Sequence, residues 1–132
     1  MEYMSNDEKE QSCMMLQFNP WNWTLTITSP KKDVTVGEMW LVADAVIKKL
    51  QNSDPDIRYA FYICKHYGDE SREHLHGIIY TELKHIQIQA CIGAGHHRIK
   101  KFTDNWWFPY MLNQSLAGTE MTNCEIPVGD CV

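Results

Sequence analysis

Two runs, Arg58-Tyr59-Ala60-Phe61-Tyr62-Ile63-Cys64 and His74-Leu75-His76-Gly77-Ile78-Ile79-Tyr80, carry the reading of the fold. Both are rich in aromatic and branched side chains, which suit an extended, half-buried backbone. The stretch between them, Tyr67 to Arg72, is polar and contains Gly68, so the two runs read as antiparallel strands of one hairpin. Upstream, Trp23-Thr24-Leu25-Thr26-Ile27-Thr28 alternates strictly, with three threonines on the face opposite Trp23, Leu25 and Ile27, and Ser29-Pro30 ends it.

Between these strands lies the clearest helical signal. Thr35 with Glu38 three residues on forms a capping pattern, and Val36, Met39, Trp40, Ala43, Val46, Ile47 and Leu50 recur at helical spacing until the break around Pro55. Downstream, residues 82–92 suit a helix through Leu83, Ile86 and Ala90 but also alternate at Ile86, Ile88, Ala90 and Ile92, with the helix preferred; Gly93-Ala94-Gly95 reads as a break, and His97 to Phe102 as a short strand. Pro109 and Gly118 frame a last helix over about 108–117. The expected class is α+β: an antiparallel sheet with helices packed mainly on one face. Residues 1–20 are expected to be a poorly ordered tail, 21–118 the domain, and 119–132 an irregular tail.

Composition narrows the function classes. The 132 residues suffice for one domain with a real core, and 44% of them are apolar. No apolar run approaches the ~20 residues that span a bilayer, and the charged Asp7-Glu8-Lys9-Glu10 stands where a secretory signal would be apolar, so no membrane partner is expected. Five scattered cysteines without a CxxC pair read as reduced intracellular thiols. No Gly-x-x-x-x-Gly-Lys-Ser/Thr loop is present, which excludes P-loop ATP hydrolysis from this chain. The net charge of −5 disfavours strong general DNA affinity, but four of the acidic residues fall within the first ten, and basic residues cluster at Lys31-Lys32 and at Arg98, Lys100 and Lys101.

Three features carry chemistry. His74 and His76 lie two apart on a strand, so both imidazoles face one way, as paired metal ligands would. His66 ends the preceding strand on the same alternation as Tyr62 and Cys64 and is a candidate third ligand. Tyr110 has Asn113 and Gln114 three and four residues on, which sets a phenol and two amides on one helix face.

In this order and spacing the features resemble the HUH endonuclease superfamily, over residues 21–116. The nuclease domains of rolling-circle replication initiators (Rep) of circular single-stranded DNA viruses are the nearest likeness. The resemblance implies an RRM-like sheet-and-helix architecture. It also implies a divalent metal, Mn²⁺ or Mg²⁺, on His74 and His76, and nicking of single-stranded DNA or an origin stem-loop through a 5′-phosphotyrosine on Tyr110. Such initiators place a third ligand, usually Glu, where His66 stands, and have Tyr-x-x-Lys where this chain has Asn113. Single-strand transposases of the same superfamily instead carry Tyr-x-x-x-Gln with a ligating Gln, which Gln114 matches. The third ligand is thus His66 or Gln114. Three imidazoles would favour Mn²⁺ over the harder Mg²⁺. Trp106 and Trp107 are candidates for base stacking, and Arg98, Lys100, Lys101, Lys31 and Lys32 for phosphate contact. A helicase partner would lie outside this chain, and the location implied is the nucleus of a eukaryotic host, otherwise cytoplasm. A non-catalytic nucleic-acid binder and a structural zinc protein are the competing classes.

Overall fold

The computed structural model describes residues 2–28, 34–65, 73–93 and 96–124. Its elements are α1 (Asn6–Gln17), β1 (Trp23–Thr28), α2 (Val36–Ser53), β2 (Arg58–Cys64), β3 (His74–Tyr80), α3 (His85–Ile92), β4 (His96–Lys101), α4 (Trp107–Asn113) and β5 (Met121–Thr122). The strands form one sheet in the order β4-β1-β3-β2-β5, with every neighbouring pair antiparallel. From β1 to β4 this is the split β-α-β arrangement, in which β3 returns between β1 and β2. The α+β class with an antiparallel, RRM-like sheet is therefore as expected.

The helices are not gathered mainly on one face; they divide two and two. On one face Leu25, Ile27, Phe61, Ile63, Leu75 and Ile79 pack with Met39, Ala43, Ile47 and Leu50 of α2 and Ile88 of α3. On the other, Ala60, Tyr62, Cys64 and Ile78 meet Met15 and Leu16 of α1 and Phe108, Met111 and Leu112 of α4. Thr35 caps α2 as its sequence indicates, accepting from the Glu38 N–H at 3.1 Å.

Both expected tails are corrected. Residues 6–17 form a helix begun by a reciprocal capping box: the Ser5 hydroxyl accepts from the Glu8 N–H and the Glu8 carboxylate from the Ser5 N–H. Only Ser12, Met15 and Leu16 of this helix are buried, so it shows no apolar stripe along its length. Ahead of it, Met4 N–H donates to the Ser115 carbonyl and Ala117 N–H to the Glu2 carbonyl, tying the N-terminal stretch to the segment after α4. At the other end β5 pairs with the edge of β2 inside the expected irregular tail of 119–132, whose residues 125–132 lie outside the described ones. Strand-like contacts also shorten α4: Ser115 bridges Cys64 and the Leu116 N–H donates to the Ile63 carbonyl, so the helix stops at Asn113 rather than near 117.

Candidate active site

The site is built on the centre of the sheet. β3 runs between β1 and β2, and its alternation sends Leu75 into the α2 side while His74 and His76 face α1 and α4. Register sets their neighbours: His76 lies across from Thr26 of β1 and Tyr62 of β2, and His74 across from Thr28 and Cys64. The two imidazole rings are 4.9 Å apart between centroids. Contrary to a pair of surface histidines, both are buried, His74 at 5% and His76 at 2% exposure.

What covers His76 is the first turn of α4. The Trp107 indole stacks on His76 at 5.6 Å, with 23° between the planes, and Tyr110 lies 5.5 Å from His76 and 5.1 Å from Trp107. Residues 107 and 110 are neighbours on a helix surface, which is why both rings reach one imidazole. Helix α4 is held there by Phe108, Met111 and Leu112, all buried against α1 and the sheet. Tyr110 itself is 58% exposed. It is the accessible phenol of the site. Tyr62, in register with His76, is fully buried, and that burial, followed by the nearby Glu120 charge, raises its phenol far above the ordinary tyrosine range.

Helices α1 and α4 sit over β2 and β3, and beside them opens a cavity of about 420 Å³. Its floor is Thr24 and Thr26 of β1 with Arg98 and Lys100 of β4, and its wall is Trp106, Trp107 and Tyr110. Pairing of β1 with β4 puts Arg98 across from Thr26 and Lys100 across from Thr24, so the two cations share the histidine face of the sheet. Lys101 also lines the cavity at the strand's end. Trp106 is 80% exposed. Three expected DNA contacts on β4 and both tryptophans are thus brought together around Tyr110. Lys31, Lys32, Tyr67 and His66 lie outside the described residues.

Do these residues fit a divalent cation? Two same-face imidazoles 4.9 Å apart are within reach of one ion, whose bonds to histidine nitrogen run ~2.0–2.1 Å for zinc. Among the described residues no group of three or more His, Cys, Asp or Glu gathers into a metal-sized cluster. Cys64 is beside His74, and burial pushes its thiol up to about 11 in the metal-free protein. Lys65 donates its N–H to the Gln114 carbonyl at 3.0 Å and accepts at its own carbonyl from the Tyr3 hydroxyl at 2.8 Å. These two bonds pin the end of β2 next to Gln114; His66 itself lies outside the described residues. Two imidazoles suit Zn²⁺, and they suit Mn²⁺ in a mixed nitrogen and oxygen set better than the oxygen-demanding Mg²⁺. Asn113 is exposed on α4 and Gln114 is its half-buried C-cap.

Sequence reasoning missed three parts of this site. Alternation marks Thr26 and Thr24 only as a strand's polar face, yet they form the cavity floor. Asp104 was not singled out, although its carboxylate accepts from the Trp106 N–H at 2.9 Å and so fixes the turn that projects the indole. Its signal was Asp two residues before Trp, a local side-chain-to-backbone turn. Tyr62 shows in the sequence only an alternation with Cys64, which does not reveal that it lies across from His76.

The chain matches no protein-family model and no curated protein. Among solved structures it resembles the crystal structure of the hypothetical protein ORF119 from Sulfolobus islandicus rod-shaped virus 1. The TM-score is 0.55 at 13% identity, covering 80% of this chain and 91% of that one. At that identity the likeness is one of fold. Among the described residues no helix is long and apolar enough to cross a membrane.

Proposed function

We propose that the protein is a metal-dependent endonuclease that nicks single-stranded DNA through Tyr110, of the kind that initiates rolling-circle replication. One observation carries this reading: an exposed phenol 5.5 Å from one of two same-face imidazoles, at the mouth of a cavity floored by Arg98 and Lys100. A phosphodiester repels nucleophiles with its anionic oxygens, so attack requires that charge to be offset and the nucleophile to be held in line.

His74 and His76, with His66 or Gln114, would hold the divalent cation, which supplies Lewis-acid polarisation of a non-bridging phosphate oxygen. The chain's own side chains do the rest. Arg98 and Lys100 bind the strand's phosphates on the open part of the sheet. The Tyr110 phenol gives up its proton to water, and its oxygen bonds to phosphorus. The bond from phosphorus to the 3′ oxygen breaks, and that oxygen leaves as a 3′-hydroxyl after taking a proton from water. A 5′-phosphotyrosine remains, which conserves the bond for later rejoining. Burial of Tyr62 keeps it protonated and out of reach, so Tyr110 alone of the pair serves as nucleophile.

Incubation with a stem-loop oligonucleotide and Mn²⁺ should give a covalent adduct that migrates slowly on a denaturing gel. Tyr110→Phe should abolish it while leaving binding intact. An adduct that survives Tyr110→Phe refutes the assignment. Binding with no adduct in the unmodified protein favours a second reading, a non-catalytic nucleic-acid binder, for which the near-complete burial of both imidazoles is the supporting observation.

A further inference from the structure

The cavity beside Tyr110 is chemically divided. Its β4 side carries Arg98 and Lys100, and neither makes an ion pair among the described residues. Its other side carries a carboxylate, Asp104, and the most exposed aromatic ring among the large hydrophobic side chains, Trp106. A site for phosphate alone has no use for a carboxylate, which repels the anion. Asp104 also makes no ion pair with the cations across the cavity. One of its oxygens accepts from the Trp106 N–H, which locks the turn, and the second has no partner among the described residues. An acceptor of this kind, next to an exposed indole, suits a flat group with an N–H donor on its edge.

We infer that this cavity is a subsite for one nucleotide: its phosphate on Arg98 and Lys100, its base stacked on Trp106, and Asp104 selecting a base with an exocyclic amino group. The inference rests on the reading of the protein as one that binds single-stranded DNA and adds which base it prefers and why. At about 420 Å³ the cavity is at the small end of the ~300–1,000 Å³ range of ligand pockets, room for one nucleotide rather than a run of them. Stacking tolerates any base, because every base has a π face. Discrimination must come from the edge. Cytosine presents a 4-amino donor to a carboxylate, whereas thymine presents a carbonyl oxygen at the same place and would set two acceptors against each other. The two pyrimidines are close in size, so their comparison isolates that term. Thr24 donates its hydroxyl proton to the Lys100 carbonyl at 3.3 Å, so it is not a competing donor for the thymine oxygen.

The test is fluorescence anisotropy with end-labelled dC6 and dT6, in EDTA and at low salt, so that no metal and no nicking are involved. The unmodified protein should bind dC6 several-fold more tightly than dT6. Asp104→Asn keeps an acceptor for the Trp106 N–H and adds a donor, so it should bring the two affinities within about twofold. Trp106→Ala, at a side chain that is mostly in solvent, should weaken both ligands together by a factor between about 5 and 150, the range that one stacked base contributes. Equal binding of dC6 and dT6 by the unmodified protein overturns the inference, as does a preference that survives Asp104→Asn. Adduct formation with no base preference sinks the subsite and spares the nickase. Base preference without adduct does the reverse.

Discussion

Gly77→Ala should unsettle the whole sheet, and the size of the effect follows from one contact. Gly77 pairs with Phe61 across β2 and β3 on the α2 side. A Cβ at position 77 would lie 2.2 Å and 2.4 Å from two Phe61 ring carbons. Ordinary carbon contacts sit at ~3.5–4.0 Å, so the ring or the strand must yield by more than an ångström. Neither has room. Phe61 is completely buried in the α2 core, and β3 is hydrogen-bonded on both sides. Overpacking of this kind costs ~1–3 kcal/mol, and a clash this close belongs at or above the top of that range. For a chain of 132 residues, between the size classes where 1 kcal/mol shifts Tm by ~4–8 °C and ~2–4 °C, a fall of about 10 °C is expected. Thermal melts by far-UV circular dichroism, with urea titrations for the free energy, measure it. In a Phe61→Leu background the same glycine substitution should cost at least ~1 kcal/mol less, because the two positions are in contact. A Gly77→Ala protein within ~0.5 kcal/mol of the parent, or a strictly additive cycle, would show that the glycine is not there to admit the ring.

Two further outcomes test other parts of the structure. The Ser5 backbone N–H, and secondarily its hydroxyl, hold the Glu8 carboxyl below its usual 4.5. Since the folded value is the lower one, the capping box contributes stability above pH 4.5 that is lost as pH falls through the folded value. Glu8→Gln should flatten that dependence, and NMR titration of the Glu8 side chain with α1 amide exchange reads it; a midpoint at or above 4.5 contradicts the capped helix. Burial raises the Cys64 thiol to about 11. It should resist Ellman's reagent at pH 8 in the native protein and react only after unfolding, so native labelling at Cys64 would contradict its place under α4.

The extent to which the site is legible in the residues follows from which distances are local. Alternation in Trp23–Thr28 and in the two runs around the hairpin sets which side chains share a face, because successive strand residues point opposite ways whatever lies nearby. That much of the sheet, the α2 cap, the pairing of His74 with His76, and the helical setting of Tyr110 needed nothing beyond neighbours in the chain. Helix α1 escaped notice for a related reason. Its Ser5-Glu8 box is a local signal, but with only Ser12, Met15 and Leu16 buried it lacks the repeating apolar stripe by which amphipathic helices are found.

Long-range placement belonged to the tertiary structure. Nothing in residues 107–110 says that Trp107 will stack on His76, since that depends on Phe108, Met111 and Leu112 being buried against a helix from the other end of the chain. The same packing made both imidazoles interior groups and split the helices between the two faces. It left Arg98, Lys100, Thr24 and Thr26 around a cavity whose far wall comes from the Asp104 turn. The sequence by itself determined the α+β class and the candidate histidines and tyrosine, because periodicity and spacing are properties of the local backbone. The fold alone decided what stands over them, because contacts between distant segments depend on how whole faces pack.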